Sequence, residues 1–202
     1  MLHAAVALLG LAITATAPRA DEHLLAGARL FREEKFAEAL VEFRVAERLG
    51  APGAAGYAAA TLVKLDRPEQ ALEAFEGPGA PSSGRAPLLD YFHALACYDA
   101  RLYLRADRLL AGVGARSGPR IAEQAARVRE DIAAALAREP ARESVDWYLA
   151  RCDALARDTR PVLARAYCEE ALALAGRRAD RHGAAVAREQ LAKLGPVAQG
   201  ER

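Results

Sequence analysis

Apolar residues recur along the chain at helical intervals, three or four positions apart, and short breakers interrupt them every ten to twenty residues. The pattern predicts helices near 21–34, 37–49, 54–65, 68–76, 87–100, 103–113, 119–138, 142–157, 161–175 and 181–194. The breakers are rich in Gly and Pro: Gly50 to Gly53, Gly77 to Gly84, Gly114 to Pro119, Pro140, Arg160-Pro161 and Gly176. Asp66-Arg67-Pro68-Glu69 has the form of a helix start, with Asp as the cap and Pro in the first turn. About ten helices joined by short turns leave no room for a sheet.

A period near 34 residues runs through these helices, the length of a two-helix repeat. Ala39, Ala71 and Ala106 form one column. Four positions later stand Phe43, Phe75 and Leu110; nine earlier, Leu30, Leu62 and Cys97; twelve earlier, Gly27, Ala59 and Ala94. Small residues on both helices of an antiparallel pair let their axes approach, and the large residues between them fill the gaps. A further copy fits Tyr148, Cys152, Leu155, Pro161, Ala164, Cys168 and Ala171. It starts 58 residues after the third copy, which puts the 119–138 helix out of step. Either that helix is a spacer, or it pairs with 142–157 while 161–175 pairs with 181–194; five pairs is the expectation.

These columns resemble the tetratricopeptide repeat, with departures at Asp90, Pro68 and Pro161. The resemblance implies an all-α, right-handed superhelical stack of antiparallel helix pairs over 21–195. It also implies a concave groove, lined by the first helix of each pair, that grips a protein or peptide segment. The groove positions are Leu24, Leu25, Phe31 and Arg32, then Tyr57, Val63 and Lys64, then Leu88, Tyr91, Phe92, Leu95 and Tyr98. Core candidates from the resemblance are Leu24, Phe31, Arg32, Tyr57, Lys64, Tyr91, Phe92 and Tyr98 as the partner-binding set. With Lys64 the only Lys there and Asn absent from the chain, an apolar segment is the expected occupant, with Arg32 and Lys64 at the rim.

Composition agrees with helices. Of 202 residues, 50 are Ala and 27 Leu, against 10 Val, 3 Ile and 4 Thr. The formal net charge is +1, and beyond residue 20 the charges balance, so no electrostatic nucleic-acid surface is expected. Ala4–Ala17 is an uncharged apolar run of 14 residues, about 21 Å as a helix and short of a ~30 Å membrane core. Its small-residue end, Ala15 to Ala20, suits a signal peptide over 1–20 and export to the periplasm of a bacterial envelope. The alternative is a cytoplasmic protein with a buried N-terminal helix. Residues 196–202 are expected to be a disordered tail.

No CxxC is present and the four His are dispersed, so no metal or cofactor is expected. Cys152 and Cys168 fall at repeat positions 8 and 24, offset by one helical turn from the facing pair 8 and 20. That offset predicts three reduced, buried cysteines. Glu33-Glu34 and Glu169-Glu170 are adjacent in sequence and are expected on solvated faces, and Gly112 to Gly118 reads as a linker. Without a nucleophile turn or a convergent acid–base set, no enzyme is expected. The function expected is a non-enzymatic adaptor that assembles or positions an envelope complex. The alternatives are a self-associating structural subunit, or a cytosolic regulatory domain if the N-terminus is retained.

Overall fold

The computed structural model describes residues 17–77, 80, 86–138 and 143–195. The apolar run before Ala17 and the 196–202 tail lie outside these residues. Ten helices are described: α1 (Ala17–Arg32), α2 (Phe36–Arg48), α3 (Ala54–Lys64), α4 (Pro68–Glu76), α5 (Pro87–Asp99), α6 (Tyr103–Arg116), α7 (Pro119–Ala137), α8 (Val145–Arg157), α9 (Pro161–Arg177) and α10 (Arg181–Lys193). Each packs on a chain neighbour, giving an all-helical stack with no strand among the described residues.

One turn is used five times. Glu34, Asp66, Arg101, Thr159 and Ala179 take left-handed backbone, with φ of 59°, 56°, 64°, 56° and 55°. The next residue's N–H reaches back over the helix end: Lys35 to the Leu30 carbonyl (3.0 Å), Arg67 to Leu62 (3.0 Å), Leu102 to Cys97 (2.8 Å), Arg160 to Leu155 (3.0 Å) and Asp180 to Ala175 (2.9 Å). This six-to-one bond closes each helix C-terminus. Five residues beyond each left-handed residue stands the alanine column, Ala39, Ala71, Ala106, Ala164 and Ala184, all buried. Asp66 therefore serves as the turn residue and not as the cap expected of it; Arg67 holds the cap position of α4 without a side-chain bond. Ser144, by contrast, does cap α8, its hydroxyl accepting from the Trp147 N–H at 3.1 Å.

The pairing of the C-terminal helices meets expectation for α9 with α10 and departs from it for α7, which does not pair with α8. α8 packs on α9 and α9 on α10, so α9 belongs to two hairpins, while α7 packs on α6 and reaches α5. The reason lies in their faces. α7 buries a single narrow stripe, Ala125 and Ile132 flanked by Ile121, Val128 and Leu136, which is taken up by α6 and the edge of α5. α9 buries Leu163, Ala164, Ala166, Tyr167, Cys168, Glu170, Ala171, Leu174 and Ala175, which cover more than one side and demand partners on both. α6 also runs on through Gly112 and Gly114 to Arg116, because the fully buried Leu110 and Val113 hold its last turns. The expected linker thus begins later, at Ser117.

The cysteines also correct the expectation. Cys152 and Cys168 form a disulfide with a Cα–Cα distance of 5.4 Å, and Cys97 alone is free and buried. The two positions do face each other. In the first hairpin the same pair is Gly27 and Phe43, where a Cβ on Gly27 would stand 2.7 Å from the Phe43 ring. A small residue on one side, as at Gly27, leaves room for the large one opposite, and two cysteines at the same positions come within disulfide reach.

Glycines in close contact and glycines in open space should respond oppositely to alanine. Gly27→Ala would press on Phe43, which is 1% exposed and stacked on Tyr57, so overpacking of about 1–3 kcal/mol outweighs the helix-propensity gain. Gly112→Ala, with nothing within 4 Å inside α6, should gain about 0.5–1 kcal/mol. Urea midpoints of the two variants should move in opposite directions.

Candidate functional site

α1, α3 and α5, the first helices of the first three hairpins, meet around an apolar cavity of about 190 Å³. Its walls are Ala28, Phe31 and Arg32 from α1, Phe43 from α2, Tyr57 and Ala60 from α3, and Leu88, Leu89 and Phe92 from α5. Ring contacts fix the walls. Phe31 lies edge-on to Phe36 at 5.3 Å and to Phe92 at 5.9 Å, and Tyr57 stacks on Phe43 at 5.5 Å. Gly56 lets α3 and α5 approach, since a Cβ there would stand 2.7 Å from Leu89 Cδ1. Leu88 keeps 43% of its surface exposed at the mouth.

Four of the eight expected groove residues line this cavity: Phe31, Arg32, Tyr57 and Phe92. Lys64 joins them at one remove, its Nζ 5.9 Å above the centre of the Phe92 ring. Tyr91 lies beside Phe92 at 6.0 Å, half-buried, and burial raises its hydroxyl above the ordinary tyrosine range. Leu24 does not line the cavity; it packs on Ala20, Ala46, Ala51 and Ala54 and on the cluster of Ala39, Phe43 and Ala58, which shares Phe43 with the cavity wall. Tyr98 pairs with Tyr103 at 5.9 Å in a separate polar cleft with Asp99, Arg101, Arg138 and Glu143. Ala28, Ala60, Phe43 and Leu89 were not placed in the groove by sequence. The first two are small residues that leave the space, and Phe43 carried only the repeat signal.

A second constellation holds the stack together. Arg105 of α6 bonds Glu76 through Nε at 3.1 Å and Nη2 at 2.7 Å, and Glu169 through Nη1 at 2.7 Å. His93 Nε2 shares Glu76 Oε1 at 2.6 Å. Burial alone would raise the Glu76 carboxyl, but the His93 bond and the Arg105 charge hold it below the ordinary carboxylate range. Glu76, His93 and Cys97 bring one ligand atom each within 4.8 Å of one another. The signal in the sequence was the four-residue spacing of His93 and Cys97, one turn of α5. The Arg105 guanidinium already places a positive charge against Glu76, and burial together with that carboxylate drives the Cys97 thiol up, well away from a thiolate.

Glu170 overturns the solvated-face expectation. It is 2% exposed and accepts from the backbone N–H groups of Leu104 at 2.6 Å and Arg105 at 3.0 Å, at the N-terminus of α6. An anion there meets unpaired donors and the positive end of the helix dipole. Burial nonetheless dominates, lifting its pKa to about 6.

With a folded pKa above the ordinary 4.5, Glu170 contributes stability that is complete below pH 4.5 and is lost as pH rises through about 6. Glu170→Gln should therefore cost more at pH 4.5 than at pH 7, by up to about 2 kcal/mol, in urea titrations at the two pH values. An equal cost at both would contradict the assignment.

Among the described residues no helix is long and apolar enough to cross a membrane. Neither a family model, nor a curated protein, nor a solved structure matches the chain.

Proposed function

We propose that this is a non-enzymatic adaptor, a tetratricopeptide-like stack that holds a partner protein's apolar segment on its concave face. The observation that carries the reading is the cavity shared by α1, α3 and α5. It is nearly all carbon, opens beside the exposed Leu88, and carries its cations at the edge. Aromatic walls around an open apolar pocket suit an inserted side chain, the usual energetic centre of a protein interface.

Export to a bacterial envelope is the compartment this reading favours. The Cys152–Cys168 disulfide supports it, because such bonds persist in oxidising compartments. The uncharged run ending at Ala17 supports it independently. There the adaptor would help assemble or position a larger complex.

Leu88→Gln changes the mouth of the cavity, and Val41→Gln, on α2 at a residue 61% exposed and outside the cavity, is its control. Affinity capture from an envelope extract should recover a partner with wild type and Val41→Gln, and lose it with Leu88→Gln at unchanged melting temperature. Recovery of the chain itself alone would point to a self-associating subunit.

A further inference from the structure

The cavity's edge carries a charge pattern that narrows what can occupy it. Arg32 lines the cavity, and its Nε reaches only the Ala28 carbonyl, at 3.4 Å. Lys64 is held over the Phe92 ring. Neither has a carboxylate within ion-pair distance among the described residues. Nearby basic residues are engaged: Lys35 holds Glu33 at 2.9 Å, with Arg29 on its other side, and Arg44 holds Glu47 at 2.9 Å. The groove thus presents two cations in no ion pair, one on the Ala28 carbonyl and one on the Phe92 ring, beside an apolar hole with no acid among its lining residues. The exposed Glu33 carboxyl, held low chiefly by Lys35, also feels the Arg32 charge.

We infer that the groove takes an internal peptide segment in which a large aliphatic or aromatic side chain has Asp or Glu within two positions. The inference rests on the groove reading above. The space of about 190 Å³ suits one large side chain, and its hydrocarbon walls offer water too few partners to be held well. An acidic neighbour would then meet Arg32 and Lys64, whereas a basic neighbour would be repelled, so the charges select among apolar segments. A chain terminus is a poorer fit: its carboxylate and last amides need several fixed donors. The cavity lining supplies only the Arg32 guanidinium and the Tyr57 hydroxyl.

The test is selection of a displayed library of random ten-residue internal segments on the full chain. It is run in parallel on Arg32→Gln/Lys64→Gln and on Leu88→Gln. Wild type should enrich segments with a large apolar residue and Asp or Glu within two positions, about threefold or more over the unselected library. The double variant should keep the apolar preference and lose the acidic one. Apolar enrichment without acidic bias in wild type would overturn the inference and leave the groove reading standing. Enrichment with no apolar preference, or equal enrichment on Leu88→Gln, would overturn the groove reading itself.

Discussion

A small residue facing a large one, sixteen positions later, sets how each of the first hairpins closes. Gly27 lies against Phe43, and at the same separation stand Ala59 and Phe75, then Ala94 and Leu110, all buried. In the α8–α9 hairpin the two sides are equal in size and become a covalent bond, Cys152–Cys168. The left-handed residue and its six-to-one hydrogen bond fix the turn, and the small–large contact fixes the spacing of the axes. Together they set the angle at which successive hairpins follow one another, and with it the face on which α1, α3 and α5 converge.

The C-terminal block depends on that geometry as well. α9 packs against α8, α10, α4 and α6, and its polar side chains finish bonds the first hairpins leave open. Glu170 caps α6 and the Tyr167 hydroxyl donates to the Ala100 carbonyl at 3.0 Å, while from α8 the Tyr148 hydroxyl donates to that of Arg101. Arg160, at the start of α9, reaches Glu69 at 2.8 Å and Glu73 at 2.9 Å on α4. The α5–α6 turn is therefore clamped from one side by hydroxyls and carboxylates. Arg101 of the same turn also pairs with Glu143 at 2.5 Å, in the polar cleft beside Tyr98 and Tyr103. The cavity lies toward the other end of α5, at Leu88, Leu89 and Phe92, and keeps its hydrocarbon walls.

Much of this was legible in the sequence because it depends on periodicity. Helix positions and the alanine column follow from spacing of residue types along helices, whereas bringing Phe31, Tyr57 and Phe92 together was what the repeat resemblance implied. What depended on which residues face each other across a hairpin was not. Taking positions 8 and 20 as the facing pair hid the disulfide, although Gly27 and Phe43, small against large at the same separation, carried the correct pairing. Neighbouring glutamates look alike in sequence, yet Glu169 is half-exposed and Glu170 buried, because only one points at an incoming helix terminus. The double role of α9 lies in how narrow its polar side is, little more than Arg165 and Glu169, a property of the whole helix that a repeat template does not examine. Tyr98 shows the limit of the template: it occupies a groove position but turns to Tyr103 once α7 covers that end of α5 and α6.

The facing pair sixteen residues apart is the claim on which the hairpin geometry and the groove both rest, and the cysteines report it directly. They fall in three different tryptic peptides, so their linkage can be assigned without ambiguity. Non-reducing peptide mapping of the folded protein, after equilibration in an oxidising glutathione buffer, should give one crosslink, between the Cys152 and Cys168 peptides. Cys97 should be recovered as a free thiol that alkylates only after unfolding. A crosslink through Cys97, or three free thiols, would contradict the register.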